Sequence, residues 1–135
     1  MIVVDTNVIV YLYLSNERSE QAERLLEKDS EWAAPLLWRS ELRNVLALYI
    51  RKEILSVKEA QQVMEEAVIL MDGKEYEVVS FQVLELVSES TCSAYDCEFV
   101  ALAQDLKVRL VTVDKKILRE FPNIAISLNE YVSSQ

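Results

Sequence analysis

The chain has 135 residues, of which 51% are hydrophobic, so its length and composition predict one globular domain over residues 1–135 and exclude a disordered chain. No apolar run approaches the roughly 20 residues that a membrane-spanning helix needs, and residues 1–5 have the pattern of a strand rather than of a signal peptide. We therefore expect a cytoplasmic protein that makes no membrane contact.

The net charge is −9, from 23 acidic and 14 basic residues. Nucleic-acid-binding proteins are normally basic, so this balance opposes such a role unless divalent cations or a basic partner protein offset the charge. The absence of histidine excludes catalysis by paired imidazoles and leaves acid–base chemistry to carboxylates, lysine, tyrosine or metal-bound water. Cys92 and Cys97 match neither a zinc pattern nor a redox pattern, and we expect reduced thiols.

The first half of the chain opens with an apolar β-branched run that is typical of a buried strand. The predicted elements there are, in chain order, a strand at residues 2–4 that Asp5 ends, a helix from residues 8–14, an amphipathic helix at 19–28, a strand at 32–34 that ends at Pro35, and a helix that continues to about Lys52.

The second half contains a capping pattern at residues 56–59 and a second strongly apolar strand. The predicted elements there are a helix between Ser56 and Gly73, a strand at 76–79, a helix at 81–90 with Phe81, Val83, Leu84, Leu86 and Val87 on its apolar face, a helix that Ser93 opens, a strand at 108–113, a helix at 114–120 and a strand at 124–126.

This alternation of strands and helices predicts a three-layer α/β/α sandwich with a mainly parallel central sheet. Ligands of such sheets bind beyond the carboxyl ends of the strands, at the point where the strand order reverses. Asp5 and Asp114 each follow an apolar strand, so we expect both carboxylates at that edge.

Four acidic residues, Asp5, Glu41, Asp96 and Asp114, stand out from the other charged residues. Each has a structural alternative: Asp5 and Asp114 suit helix caps, Glu41 suits a solvated helix face, and Asp96 lies at capping-box spacing from Ser93. If the four carboxylates came together, they would repel one another and their pKa values would rise. A hard divalent cation such as Mg²⁺ or Mn²⁺ would relieve that repulsion.

Four segments, in order and over nearly the whole chain, resemble the motifs of PIN-domain nucleases, and the compact length is similar to that of VapC-type toxins. The segments are IVVDTNV at residues 2–8, SELRNVL at 40–46, SAYDCEFVALA at 93–103 and LVTVDKK at 110–116. The resemblance implies a Mg²⁺- or Mn²⁺-dependent endoribonuclease that hydrolyses RNA with metal-activated water. It also implies a homodimer and a small antitoxin protein whose tail covers the site.

The resemblance further implies roles for individual residues. Asp5, Glu41, Asp96 and Asp114 would bind the metal or orient metal-bound water, while Asn7 and Thr112 would hold a carboxylate or water by hydrogen bonds.

Basic and aromatic residues near these motifs carry open alternatives. Arg39, Arg43, Lys115, Lys116 and Arg119 would suit either RNA-phosphate contacts or ordinary surface charge. The aromatic side chains that would suit base stacking, the core or an interface are Tyr11, Tyr13, Trp32, Trp38 and Tyr49, with Trp38 and Tyr49 also suggested for an antitoxin groove.

Other functions compete with a toxin. A PIN-type RNA-processing nuclease would have the same site. A haloacid-dehalogenase-like phosphatase needs a second acid two residues after the nucleophile, where this chain has Asn7. A receiver-like regulatory module needs an aspartate after the mid-chain strand, where Ser80 and Phe81 follow instead.

Overall fold

The structure is a computed structural model that describes residues 1–134, so Gln135, the last residue of the predicted domain, lies outside the described residues. The five strands of that range are β1 (Ile2–Val4), β2 (Trp32–Pro35), β3 (Glu75–Tyr76), β4 (Leu110–Thr112) and β5 (Ala125–Ser127). Its helices are α1 (Thr6–Tyr13), α2 (Ser19–Lys28), α3 (Leu37–Arg51), α4 (Val57–Leu70), α5 (Ser80–Ser88), α6 (Ala94–Leu106), α7 (Lys115–Glu120) and α8 (Leu128–Ser133).

The five strands form one parallel sheet in the order β3-β2-β1-β4-β5. From β1 the chain moves outward through β2 to β3, and it then returns to place β4 on the other side of β1. The strand order therefore reverses between β1 and β4, where Val3 pairs with Leu110 and Val4 with Val111. This is the position at which a parallel sheet binds its ligands.

Helices cover the sheet, and the predicted three-layer α/β/α sandwich is confirmed. Helix α6 packs on β1, β2 and β4 through a buried surface that includes Phe99 and Val100, and α5 packs on α6. Helices α1, α2 and α8 form a second packed group. Cys92 and Cys97 are free thiols, as predicted, and both are buried. Within residues 1–134 no helix has the length and apolar character needed to cross a bilayer.

Several predicted elements differ from the structure, and the strands predicted at residues 108–113 and 124–126 span Leu110–Thr112 and Ala125–Ser127. Helix α1 begins at Thr6 rather than at residue 8, because the Asp5 side chain caps it. The strand predicted at residues 76–79 is Glu75–Tyr76, since this edge strand pairs only with β2 and its last backbone bond runs from Leu36 to Tyr76. Helix α8 was not predicted, although Ser127 accepts a hydrogen bond from the Glu130 amide in a recognisable cap.

The apolar face predicted for α5 is partly wrong. Val83 and Leu86 are buried against α6, but Phe81 and Leu84 are 71% and 61% exposed. Residues two apart on a helix lie about 200° apart around its axis, so the two pairs cannot share one face. Because apolar residues occur on more than one side of α5, the sequence pattern did not indicate which side of this helix packs on α6.

Replacement of Ser56 by alanine tests the one complete capping box found within residues 1–134. Ser56 Oγ accepts from the Glu59 amide at 3.1 Å, and the Glu59 carboxylate accepts from the Ser56 amide at 2.9 Å. We expect Ser56→Ala to lower the free energy of unfolding by about 1 kcal/mol in urea titrations. Ser88→Ala, which removes a hydroxyl that donates to the Glu85 carbonyl at a helix end, is the control. Equal losses in both variants would contradict the capping role.

Candidate active site

Carboxylates from four separate segments line one pocket of about 750 Å³. Asp5 directly follows β1, and Asp114 lies two residues after the end of β4. Glu41 lies in the second turn of α3 and Asp96 in the first turn of α6. The remaining lining residues are Thr6, Asn7, Val10, Tyr11, Leu37, Ser40, Asn44, Val45 and Tyr95. The topology thus brings the four predicted acids together at the point where the strand order reverses.

Asp5 is fixed by donors from the neighbouring strand β4 and from α1. Its side chain is buried, with the residue only 8% exposed. Oδ1 accepts from the Thr6 amide at 2.8 Å, and Oδ2 accepts from Thr112 Oγ1 at 2.7 Å and from Asn7 Nδ2 at 3.3 Å. Thr112 Oγ1 also accepts from the Asp114 amide at 3.0 Å. The two residues predicted to hold a carboxylate, Asn7 and Thr112, therefore both contact Asp5.

Thr6 connects Asp5 to the next carboxylate, and the sequence reasoning missed this role. Thr6 Oγ1 donates to Glu41 Oε1 at 2.7 Å, while the Thr6 amide donates to Asp5. The two partners of Thr6 lie directly after β1 and on α3, so this contact joins segments distant in sequence. The position of Thr6 directly after Asp5 could have suggested a role in the site. The partner of its hydroxyl could not be predicted, because that partner depends on where α3 packs.

Asp114 and Asp96 both take part in helix-capping hydrogen bonds and also line the pocket. Asp114 Oδ1 accepts from the Ile117 amide at 3.0 Å and caps α7, while the residue also lines the pocket. The Asp96 amide donates to Ser93 Oγ at 3.1 Å, as the capping pattern predicted. Helix-cap positions and the pocket coincide because both helices begin at the same edge of the sheet.

Burial and the charges of neighbouring carboxylates raise the pKa values of Asp5, Glu41 and Asp96. Burial, followed by the charges of Glu41 and Asp96, raises the pKa of Asp5 from 3.8 to about 7, against the lowering effect of its Thr112 and Thr6 hydrogen bonds. Burial and the Asp96 charge raise the pKa of Glu41. Burial and the Asp114 charge raise the pKa of Asp96, and Lys116 partly opposes this. The pocket therefore carries negative charge that the protein leaves largely uncompensated.

The donor chemistry of the pocket fits a hard divalent cation. All four acids offer carboxylate oxygens, and Asn7 Oδ1 is a buried oxygen for which residues 1–134 provide no hydrogen-bond donor. Within the same residues no group of three or more carboxylates or thiols is drawn close enough to hold an ion by itself. Mg²⁺ takes only one or two carboxylates and retains several waters, so a loose arrangement of acids suits it.

The basic residues predicted to contact RNA phosphate lie outside this pocket lining. Arg39 is engaged elsewhere, because its Nε and Nη2 donate to the Glu75 carboxylate at 2.5 and 2.6 Å. The structure therefore does not support a phosphate contact for Arg39. Arg43, Lys115 and Lys116 are exposed, and Lys116 is the cation that acts on the pKa of Asp96.

Trp38 does not form a surface groove for a partner, and that prediction is wrong. Its side chain is fully buried, and its indole Nε1 donates to the same Glu75 carboxylate at 2.8 Å. Tyr49 is partly buried and packs on the hydrophobic core. Glu75 on the edge strand β3 thus fixes both Trp38 and Arg39 at the start of α3.

The fold is that of a PIN domain, and the sequence profile of the PIN domain family matches residues 2–123. The chain belongs to this family, which removes the phosphatase and receiver-like alternatives. It is 32% identical over 124 residues to Ribonuclease VapC3 of Pyrobaculum aerophilum, an alignment that covers 90% of this chain and 95% of that protein.

Solved structures share the whole fold at low sequence identity. PAE2754 from Pyrobaculum aerophilum has a TM-score of 0.77 and 19% identity, with 97% of this chain and 92% of that chain covered. A chain from a toxin–antitoxin complex from Klebsiella pneumoniae has a TM-score of 0.71 and 18% identity, with coverages of 95% and 98%. At these identities the likeness shows the fold alone.

The raised pKa of Asp5 predicts how pH changes the stability of the chelator-treated protein. A carboxyl whose folded pKa lies above its unfolded value destabilises the fold once it ionises, so stability should fall as pH rises from about 4 to about 7. At about 1.4 kcal/mol per pKa unit, this effect is at most about 4 kcal/mol. We expect urea unfolding of Asp5→Asn in chelator to lack most of this fall.

The control for that experiment is Asp105→Asn, which removes an exposed acid on α6. This variant should follow the wild-type pH profile. Added Mg²⁺ should raise the stability of the wild-type protein at neutral pH more than that of Asp5→Asn. An Asp5→Asn profile that matches the wild type in chelator would contradict the uncompensated burial of Asp5.

Proposed function

We propose that the chain is a metal-dependent endoribonuclease that hydrolyses RNA phosphodiester bonds. The observation that carries this proposal is the convergence of Asp5, Glu41, Asp96 and Asp114 on one pocket where the strand order reverses. Membership of the PIN-domain family and the similarity to Ribonuclease VapC3 support RNA as the substrate. Hydrolysis adds water across the P–O bond, so the site must bind a phosphate group within strongly acidic surroundings.

The four acids would hold Mg²⁺ or Mn²⁺, since hard oxygen ligands suit both ions. When bound, the cations supply Lewis acidity that activates water and stabilises the oxygen that leaves phosphorus. Thr112 and Asn7 orient the Asp5 carboxylate, and Thr6 orients that of Glu41. Such supporting hydrogen bonds fix ligand direction before a cation arrives.

The charge of the site explains why cations are central to this proposal. The chain carries a net charge of −9, and none of the four acids forms an ion pair with lysine or arginine within residues 1–134. Phosphate would be repelled from such a pocket unless divalent ions first reversed the local charge. Lys116, which acts electrostatically on Asp96, and the exposed Lys115 and Arg43 are then the residues suited to flanking phosphates.

We further propose that the nuclease is a cytoplasmic toxin of a toxin–antitoxin pair and acts as a homodimer. The similarity to Ribonuclease VapC3 and the fold shared with a toxin–antitoxin complex support a small antitoxin as the partner. The acidic pocket would attract a basic antitoxin segment, and such a segment would cover the site. A short reading frame beside the gene that encodes a DNA-binding protein with a basic tail would support this pairing.

Loss of a single pocket carboxylate tests the catalytic assignment. We expect Asp96→Asn to lower RNA cleavage by about 100-fold or more while the unfolding transition remains cooperative, because the variant loses a ligand charge. Asp105→Asn is the control, since Asp105 lies on the same helix, is exposed and does not line the pocket. Cleavage rates of the two variants are compared on the same RNA in Mg²⁺ and in Mn²⁺.

Chelation gives the second arm of this experiment. EDTA should stop cleavage by the wild-type protein, and excess Mg²⁺ or Mn²⁺ should restore it. Cleavage that continues in chelator, or an Asp96→Asn variant as active as Asp105→Asn, would argue against a metal site formed by these carboxylates.

The homodimer is tested by light scattering on a size-exclusion column. We expect a mass of twice the chain mass of 15.6 kDa at micromolar concentration. A mass equal to that of one chain across the accessible concentration range would refute the homodimer while leaving the nuclease assignment intact.

A further inference from the structure

The pocket lining also includes side chains that a metal site does not require. Besides the four acids, the lining contains five apolar or aromatic residues, which are Val10, Tyr11, Leu37, Val45 and Tyr95. A phosphate and its cations need only the oxygen ligands. An apolar surface in the same pocket suits the part of a nucleotide that carries no charge, which is the flat face of its base.

Tyr95 differs from the other tyrosines of the chain. Of six tyrosines, five pack on the hydrophobic core, and these are Tyr11, Tyr13, Tyr49, Tyr76 and Tyr131. Tyr95 is 62% exposed, lines the pocket and directly precedes Asp96 in the first turn of α6. Within residues 1–134 its side chain makes no hydrogen bond to another residue. Its ring therefore contributes little to the core and lies beside a proposed metal ligand.

The aromatic residues that the sequence suggested for base stacking are buried or pack on the hydrophobic core. Trp32 and Trp38 are fully buried. Tyr11 lines the pocket, but the Arg18 guanidinium lies 5.7 Å from the centre of its ring and occupies one face. Within residues 1–134, Tyr95 is the aromatic residue of the pocket whose ring neither packs on the hydrophobic core nor contacts a cation.

The acidic balance of the protein makes an uncharged contact more important. Most nucleic-acid-binding proteins gain affinity from many contacts between lysine or arginine side chains and phosphates. A chain with a net charge of −9 gains little affinity from such contacts. Base stacking on an aromatic ring does not depend on net charge and is tolerant of base identity. An aromatic ring beside the carboxylates would therefore contribute affinity for RNA that the charge of the protein does not supply.

The geometry points to Tyr95 as a residue that positions the RNA: its ring stacks on the base of a nucleotide adjacent to the phosphodiester at the four carboxylates. This inference rests on the proposed nuclease function. The face of a base inside a duplex is covered by its neighbours, so the stacked base must be unstacked and the preferred RNA single-stranded at that point.

Two substitutions at Tyr95 separate the ring from the hydroxyl. Tyr95→Leu keeps an apolar side chain but removes the ring, whereas Tyr95→Phe keeps the ring and is the matched control. The probe is a short fluorescein-labelled single-stranded oligoribonucleotide of mixed sequence, cleaved in Mn²⁺. We expect Tyr95→Leu to lower kcat/KM by about 10- to 100-fold, mainly through KM, and Tyr95→Phe to stay near the wild type. Neither variant should change the unfolding temperature, because the side chain is exposed.

A second probe tests whether the lost contact is to a base. After the cleavage site has been mapped with the wild-type protein, an abasic nucleotide is placed on each side of it in turn. At one of these positions the wild type should lose about as much kcat/KM as Tyr95→Leu loses on the intact RNA. The Tyr95→Leu variant should lose no more at that position, because the ring and the base act as one contact.

Each other outcome overturns the inference in a recognisable way. Normal cleavage by Tyr95→Leu would show that the ring is not needed. Losses that add fully between the variant and the abasic RNA would show that Tyr95 acts on something other than that base. A changed mass in light scattering would assign Tyr95 to a contact between copies of the chain. Failure of the wild type itself to cleave RNA would instead remove the nuclease proposal on which the inference rests.

Discussion

The hydrogen bond from Thr112 to Asp5 is the contact on which the site depends. It joins the ends of β1 and β4, the two strands between which the strand order reverses, over a separation of 107 residues in sequence. Asp5 is 8% exposed, and a buried carboxylate is unfavourable unless several donors address it. Donors from Thr6, Asn7 and Thr112 fix the direction of the carboxylate, yet its pKa is still raised to about 7. The fold therefore holds this acid in place at a cost in stability.

The same edge of the sheet supplies both helix caps and the acids that line the pocket. In a parallel α/β fold, each strand ends where the following helix begins, so cap residues and strand-end residues meet at one edge. Asp5 caps α1 and Asp114 caps α7, and both line the pocket. A capping role for these residues is therefore compatible with a role in the pocket. The helix N-termini place positive partial charge beside the acids and offset a part of their repulsion.

The charge distribution also links the chain as a whole to its pocket. An excess of nine negative charges opposes the binding of RNA, whereas four carboxylates in one pocket attract divalent cations. Cation binding would then convert the most repulsive part of the surface into the part that accepts phosphate. A partner with a basic segment would be drawn to the same place, so activity and its inhibition would use one electrostatic feature.

The sequence by itself determined the order of strands and helices as far as β5, the capping pattern at Ser56 and the four acids, because periodicity, caps and strand-end residues are local features of a chain. Only the tertiary structure decided the partners of side chains distant in sequence. The Thr6 hydroxyl reaches Glu41 across 35 residues, and Arg39 is held by Glu75 rather than left for phosphate. The buried face of α5 and the exposure of Tyr95 were likewise fixed by packing on neighbouring elements. Apolar residue type predicts that a side chain can be buried, whereas the position of the neighbouring helix or strand decides whether it is.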